Sequence, residues 1–491
     1  MRRIQNFING QWIDPAGAAY LPVENPSTGE SLAEVPLTPK AEVDRAITAA
    51  HEAFRSWRNV PVARRTKYLY DLLRRLEADE DNLARILVAE MGKSLPDARA
   101  ELKRAFENVE TACGMPVLQQ GDKLIGGSFE IDGEILRLPI GVFGMIAPFN
   151  FPAMVPFWFV PYAIATGNTI VVKASEQVPC TMARIAEHVQ ATGLPPGVFT
   201  LINGDRVAAE ALVDHPLIKG ISLVGSTATC RVVARRCAEL GKRVQAMGGA
   251  KNHLVVMPDA RVPDVVRNMI SSCFGCAGQR CMAASVIVAV GAQTYTEVAE
   301  QFVAAARRVV VADPLDPAVA KEETVVGPVI SAKSQAFIRK MIETGVQEGA
   351  TLLLDGRGLT VKGREGGHFV GPTIFGDVRA GMAIHKTEIF GPVVTLMRAA
   401  NLDEALAIIN GHEYGNGASI YTQNGYYARK FKLEAEAGMI GINVGIPAPV
   451  ACLPFGGMKA SLLSDIKAQG KAVIDFYTQG KIVTERYWKE D

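Results

Sequence analysis

Thiol chemistry is the first possibility this chain raises. In CFGCAGQRCMAAS, residues 273–285, Cys281 lies in a turn of small residues. Helical spacing (Val265, Val266, Met269, Ile270) leads in, and the β-branched run Val286-Ile287-Val288 leads out. Gly275 and Gly278 let the backbone approach a bound group. A thiol there becomes a nucleophile when its pKa is lowered, and the fixed charge of Arg280 next door would lower it. A lone cysteine is also a small core hydrophobe, so the rest of the chain has to decide between the two.

Four other stretches carry residues that could serve such a thiol. In APFNFP, 147–152, Asn150 stands between a strand end and a proline-started helix, where its amide could donate to an oxyanion or simply cap the helix. In VVKASE, 171–176, Lys173 closes an apolar strand and Glu176 follows three residues on. Such a pair can hold the hydroxyls of an adenosine ribose, with Glu176 repelling a 2′-phosphate and so favouring NAD over NADP; a surface ion pair is the competing account. In LVGST, 223–227, a strand runs into Gly225-Ser226 and a helix, so Ser226 meets a pyrophosphate or acts as a plain N-cap. In EIFGPV, 388–393, Glu388 could hold a second ribose and Phe390 could pack near a ring, or both could be ordinary turn residues. Cys273-x-x-Cys276 lacks a fourth ligand at zinc spacing, and none of the seven histidines pairs with another within five residues, so no metal is expected.

These residues need elements to position them. From Gly141 to Gly249 strands and helices alternate, with strands at Val142–Ile146, Thr169–Lys173, Val198–Ile202, Gly220–Val224 and Arg243–Met247. Helices near 153–166, 179–192, 206–214 and 227–240 fill the gaps, the signature of a doubly wound parallel sheet. Residues 252–450 give a second α/β pattern, with a helix near 294–308 and strands at Thr351–Leu354 and Val393–Met397. No G-x-G-x-x-G follows the first strand, so the standard dinucleotide fingerprint is missing. Residues 8–38 read as short strands and turns, helical spacing then runs from Val43 to about Gly114, and on its last helix Arg104 points away from Leu102 and Phe106 toward solvent or a cleft. SFEIDGEILRL reads as a hairpin turning at Asp132-Gly133, and the tail as two strands, Val473–Tyr477 and Lys481–Tyr487. An isolated hairpin is marginal in water, so this one is expected to join another sheet.

Length and composition exclude several classes. At 491 residues, with about 150 per domain, two to three domains are expected. A net charge of +1 offers no electrostatic case for nucleic acid or an anionic membrane. The longest apolar run, Phe151 to Ala165, contains three prolines and is too short to span a bilayer. The N-terminus lacks a signal peptide's apolar core, and eight cysteines in so long a chain form no disulfide framework, so a cytoplasmic setting is expected.

FNFP, KASE, GST, GGAK, GQRC and EIFGPV, in this order along nearly the whole chain, resemble the aldehyde dehydrogenase superfamily. The resemblance implies an NAD-binding domain (1–123 and 141–250), a catalytic domain (251–450), both Rossmann-like, and a β-hairpin oligomerisation arm (124–140 and 463–491). It implies Cys281 as nucleophile, Asn150 as oxyanion donor, and Lys173, Glu176, Gly225, Ser226, Phe149, Glu388 and Phe390 as cofactor contacts, in a homo-oligomer built as a dimer of dimers. Hydrolytic members carry a glutamate two residues before the first glycine of a Gly-Gly pair, as base for the deacylating water. Here VQAMGGAKNH puts Ala246 there, which takes no proton. A thioester on Cys281 would then wait for a thiol. QAMGGAKNHLVVMPDA, FNFPAMVPFW, GQRCMA and FYTQGKIVT resemble the CoA-acylating methylmalonate-semialdehyde dehydrogenase branch. That implies coenzyme A as co-substrate, methylmalonate or malonate semialdehyde as substrate, and Arg104 and Arg280 as clamps on its carboxylate. The alternatives are a hydrolytic aldehyde dehydrogenase and a catalytically silent binding or structural protein. Cys230 stands where the superfamily often has a glycine, so altered helix-to-sheet packing is expected there with the Ser226 contact kept.

Overall fold

Five largely apolar runs between Val142 and Met247 bury most of their residues and hydrogen-bond in parallel, as strands do when helices cover both faces of a sheet. In the computed structural model, which describes residues 2–319 and 325–488, they lie in the order Arg243–Met247, Ile218–Val224, Val142–Ile146, Thr169–Lys173, Phe199–Ile202. Antiparallel strands Asn6–Ile8 and Gln11–Ile13 extend the last of these. The chain steps outward from Val142–Ile146 to Phe199–Ile202, then returns to pair Ile218–Val224 on the opposite side of the first strand. That reversal opens a crevice at the carboxyl ends of Val142–Ile146 and Ile218–Val224, the place where doubly wound sheets take ligands.

A second sheet is built the same way, in the order Thr351–Leu354, Thr373–Gly376, Val393–Ala399, Ala284–Val290, Asn252–Val256, Gly417–Tyr421, Met439–Ile442. Every pair in it is parallel except the first. A third sheet of three antiparallel strands joins Lys123–Ser128, Ile131–Pro139 and Thr478–Glu485. The architecture is therefore α/β, with two doubly wound sheets and a small β arm. The hairpin does find its third strand in the tail, as its marginal stability alone required.

Three local readings are corrected. The hairpin reverses at Phe129 and Glu130, with Glu130 at φ 58°, and Asp132-Gly133 lies inside the second strand. There the Asp132 carboxylate accepts the Gly126 amide at 2.9 Å, so the apparent turn former ties the two strands together. The helix expected over 153–166 is two short helices, Met154–Phe157 and Val160–Thr166, since Pro156 and Pro161 withhold amide donors. Residues 472–477 form a helix instead of a strand, with Val473, Ile474, Phe476 and Tyr477 buried against the first sheet. Tyr477 packs edge-on to Phe143 at 4.7 Å, and its hydroxyl lies 3.1 Å from Ser222 Oγ. The arm strand of the tail thus begins at Thr478, and the segment from 463 belongs to the body: Leu463 donates to the Ala246 carbonyl at 2.9 Å. Among the described residues no helix is long and apolar enough to cross a membrane.

Candidate active site

Cys281 follows the helix Val262–Phe274 and a tight turn, Gly275–Gly278, and precedes the central strand Ala284–Val290. Cys276 and Ala277 both adopt left-handed backbone, φ 50° and 52°, which reverses the chain within four residues. At Gly278, φ 71°, a Cβ would fall 2.1 Å from the Gly391 carbonyl oxygen, so only glycine lets the turn press on the EIFGPV loop. The Cys281 carbonyl accepts from the Asn252 and Asn416 amides at 2.9 and 2.8 Å, which holds the sulfur's backbone from the far side.

Two cavities meet at this cysteine. The larger, about 590 Å³, fills the crevice of the first sheet and is bordered by all seven residues expected at a cofactor: Lys173, Glu176, Gly225, Ser226, Phe149, Glu388 and Phe390. Lys173 Nζ donates to Glu176 at 3.1 Å and to the Gly204 carbonyl at 2.9 Å. Ser226 caps the helix Thr227–Glu239 through the Thr229 amide at 3.3 Å, so the N-cap reading holds while the residue still borders the crevice. Phe149 and Phe390 stand edge-on at 5.8 Å. A cation with a carboxylate, a helix N-terminus and an aromatic wall suit in turn a ribose, a phosphate and an apolar ring, so this donor set fits a dinucleotide. Cys230 is fully buried with its sulfur 3.2 Å from the Met247 carbonyl, filling the place beneath Ser226 without displacing it.

The smaller cavity, about 210 Å³, opens on the other side of Cys281 and is mainly apolar, with Phe151, Trp158 and Phe455 in its wall. Arg104 and Arg280 both reach it. Arg104 pairs with Glu107 at 2.6 Å and is 42% exposed, so the cleft-lining alternative describes it. Arg280 is held by Asp97 at 2.5 Å and is only 14% exposed. Cys273 packs in the second sheet's core and Cys276 lies against Arg280, so neither joins Cys281. Among the described residues no cluster of histidine, cysteine or carboxylate side chains is arranged to hold a metal.

Asn150 is buried, with Nδ2 donating to the Gln279 carbonyl at 2.9 Å, which leaves its second N–H free of that bond. What fixes its loop was missed in the sequence. Lys93 Nζ donates to the Asn150 carbonyl at 2.7 Å and to Glu101, both side chains being fully buried. Glu101 in turn accepts the Ala153 and Met154 amides at 2.9 and 3.1 Å. The available signal was a glutamate on the core face of its helix, three residues after Ala98 and four before Ala105.

The electrostatics overturn one expectation. Burial, then the neighbouring Glu388, push the Cys281 thiol up to about 12; Arg280, paired with Asp97, lowers it as expected but by less than burial and Glu388 raise it. Burial likewise raises Glu388 to about 7, against the Ala250 amide that it accepts at 3.0 Å and against Lys251. A second correction concerns the position that lacks a base. Ala246 packs with Ile47, Ile146 and Leu223 on the far side of the sheet, whereas Met247 belongs to the cluster of Trp158, Met282 and Phe455 on which Cys281 rests. Successive strand residues face opposite sides, so Met247 is the residue turned toward the site. Methionine takes no proton either, and the inference drawn from Ala246 survives the change of residue.

Two outcomes follow. Glu388→Gln is expected to speed alkylation of Cys281 by iodoacetamide ~10-fold at pH 8, the effect of about one pKa unit. The gain shrinks below pH 7, where Glu388 itself becomes neutral. Lys93→Met strands Glu101 as an unpaired buried carboxylate and is expected to cost about 3–5 kcal/mol in denaturant unfolding.

A model of the aldehyde dehydrogenase family matches residues 12–483. Malonate-semialdehyde dehydrogenase 1 of Geobacillus kaustophilus (strain HTA426) is 44% identical over 485 residues, covering 99% of this chain and 98% of its own. The malonate-semialdehyde dehydrogenase of Lacticaseibacillus casei is 44% identical over 491 residues, with 99% and 97% covered. Among solved structures, the methylmalonate-semialdehyde dehydrogenase of Oceanimonas doudoroffii superposes with a TM-score of 0.97 at 40% identity, covering 100% of this chain and 99% of its own. A candidate methylmalonate-semialdehyde dehydrogenase of Sinorhizobium meliloti 1021, solved with NAD, gives 0.97 at 38% identity, with 100% and 99% covered. Motifs, fold and relatives agree: this chain belongs to the aldehyde dehydrogenase family.

Proposed function

We propose that the protein oxidises a carboxylate-bearing semialdehyde, malonate or methylmalonate semialdehyde, with NAD and passes the acyl group to coenzyme A. The observation that carries this is a thiol shared by two cavities, one bordered by two arginines, with Met247 instead of a base as the site-facing residue of the strand Arg243–Met247. Arg104 and Arg280 hold the substrate carboxylate, and the apolar wall holds its carbon chain against Cys281. Cys281 loses its proton and attacks the aldehyde carbon, while the Asn150 amide and the cysteine's own backbone N–H receive the oxyanion. Lys173 and Glu176 hold the adenosine ribose, Ser226 the pyrophosphate and Glu388 the nicotinamide ribose. NAD, when bound, supplies the hydride acceptor that turns the adduct into a thioester. With methionine where a base for water would stand at position 247, the thioester persists until the substrate's carboxylate leaves as carbon dioxide and a thiol arrives. Coenzyme A then takes the acyl group by thiol exchange, giving acetyl-CoA or propionyl-CoA.

The β arm supports a homo-oligomer, a dimer of dimers, because Leu124, Ile125, Phe129 and Ile482 stand exposed on it. All eight cysteines are free, which supports a reducing, cytoplasmic setting. Steady NADH formation from malonate semialdehyde is expected to depend on coenzyme A and to yield acetyl-CoA. Equal turnover without coenzyme A, releasing free acid, would establish the hydrolytic alternative. Cys281→Ala is expected to abolish NADH formation, by ~10⁴-fold or more, while NAD still binds; turnover persisting in that variant would remove the thiol from the chemistry.

A further inference from the structure

Arg280 is far from a free cation waiting for a ligand. Its Nη2 donates to Asp97 Oδ1 at 2.5 Å, its Nε to the Cys276 sulfur at 3.3 Å and its Nη1 to the Ser271 carbonyl at 3.4 Å. A guanidinium has five N–H groups, so one on each Nη is left for a ligand. Asp97 is fixed as firmly: its amide donates to Ser94 Oγ at 3.2 Å, and its Oδ2 accepts the Cys276 amide at 3.1 Å. The guanidinium lies flat on Gly275, where a Cβ would come within 2.5 Å of Cζ and both Nη atoms. Asp97, Arg280 and Cys281 border one small cavity, and the two charged side chains are 21% and 14% exposed.

In that poorly solvated place an incoming carboxylate is the second anion on one cation. Its affinity is the attraction of the arginines less the repulsion of Asp97, which sits on the same guanidinium. Glu107, the partner of Arg104, does not border the cavity, and Glu101, which does, is neutralised by its pairing with Lys93. We propose that Asp97 is a specificity-determining competitor for Arg280, an internal stand-in for the substrate carboxylate, and that Gly275 holds the shared guanidinium in reach of both. The two residues then act in opposite directions. Neutralising Asp97 leaves Arg280 buried without a counter-charge until a carboxylate ligand supplies one, so binding tightens. Adding a Cβ at Gly275 pushes the guanidinium off its wall, so binding weakens. The proposal rests on the carboxylate-clamp reading given above.

The test uses the full-length protein and 3-hydroxypropionate, the unreactive alcohol analogue of malonate semialdehyde. Its half-protecting concentration against iodoacetamide alkylation of Cys281 is read by peptide mass spectrometry, with 1-propanol as the uncharged control. Asp97→Asn is expected to lower the concentration for 3-hydroxypropionate about tenfold and Gly275→Ala to raise it about tenfold. The value for 1-propanol is expected to move less than about twofold in either variant. A general structural disturbance moves both ligands and moves them the same way. The proposal is overturned if Asp97→Asn leaves the value for 3-hydroxypropionate unchanged or raises it, or if both variants shift it in one direction. Should Gly275→Ala not fold, Asp97→Asn with the two ligands decides alone. If the wild type is protected no better by 3-hydroxypropionate than by 1-propanol, the carboxylate clamp itself fails, and that result is read before any variant is made.

Discussion

Desolvation of charge is the constraint on which this site depends. The seam between the two sheets removes Cys281, Glu388, Lys251, Arg280, Asp97, Lys93 and Glu101 largely from water. Each ion there must find a partner or give up its charge. Lys93 and Glu101 solve this by pairing and by taking up backbone groups of the Asn150 loop, so the ion pair doubles as a scaffold. Arg280 solves it with Asp97. Cys281, with Glu388 as its charged neighbour, solves it by keeping its proton.

That last solution reverses the naive view of a reactive cysteine. A thiol pushed up to about 12 is held in reserve, and its reactivity is governed by whatever alters its surroundings. Glu388 is well placed to make that alteration, since it borders the cofactor crevice and also raises the thiol's pKa. Met247, on the site side of its strand, offers no proton acceptor for a water at that position. Preference for a thiol acceptor follows from an absence of charge as much as from any positive contact.

The architecture explains why the parts lie so far apart in the chain. The cofactor crevice exists because the first sheet reverses its strand order between Val142–Ile146 and Ile218–Val224. The second sheet brings Cys281 to the amino end of its central strand and Glu388 ahead of a neighbouring one. The close approach of Gly278 to Gly391 joins these two segments, and a side chain at Gly278 would part them. Residues from 97 to 469 thereby border a cavity of about 210 Å³.

Much of this was determined by the sequence alone. The strands Val142–Ile146, Thr169–Lys173, Arg243–Met247 and Thr351–Leu354 form with the expected bounds, the first two as apolar runs buried along their whole length in a covered parallel sheet. The residues expected at the cofactor and the thiol converge, because their motifs end strands, and strand ends are where such sheets expose groups. What needed the tertiary structure was everything set by contacts distant in sequence. Strand alternation shows that Ala246 and Met247 face opposite ways, but only packing shows which way is the site. The tail at 472–477 is apolar enough for a strand and became a helix whose Val473, Ile474, Phe476 and Tyr477 cover the first sheet. Arg280 precedes Cys281 in the chain, yet its charge is spent on Asp97, 183 residues away, and no local pattern reports where a long side chain finds its counter-charge.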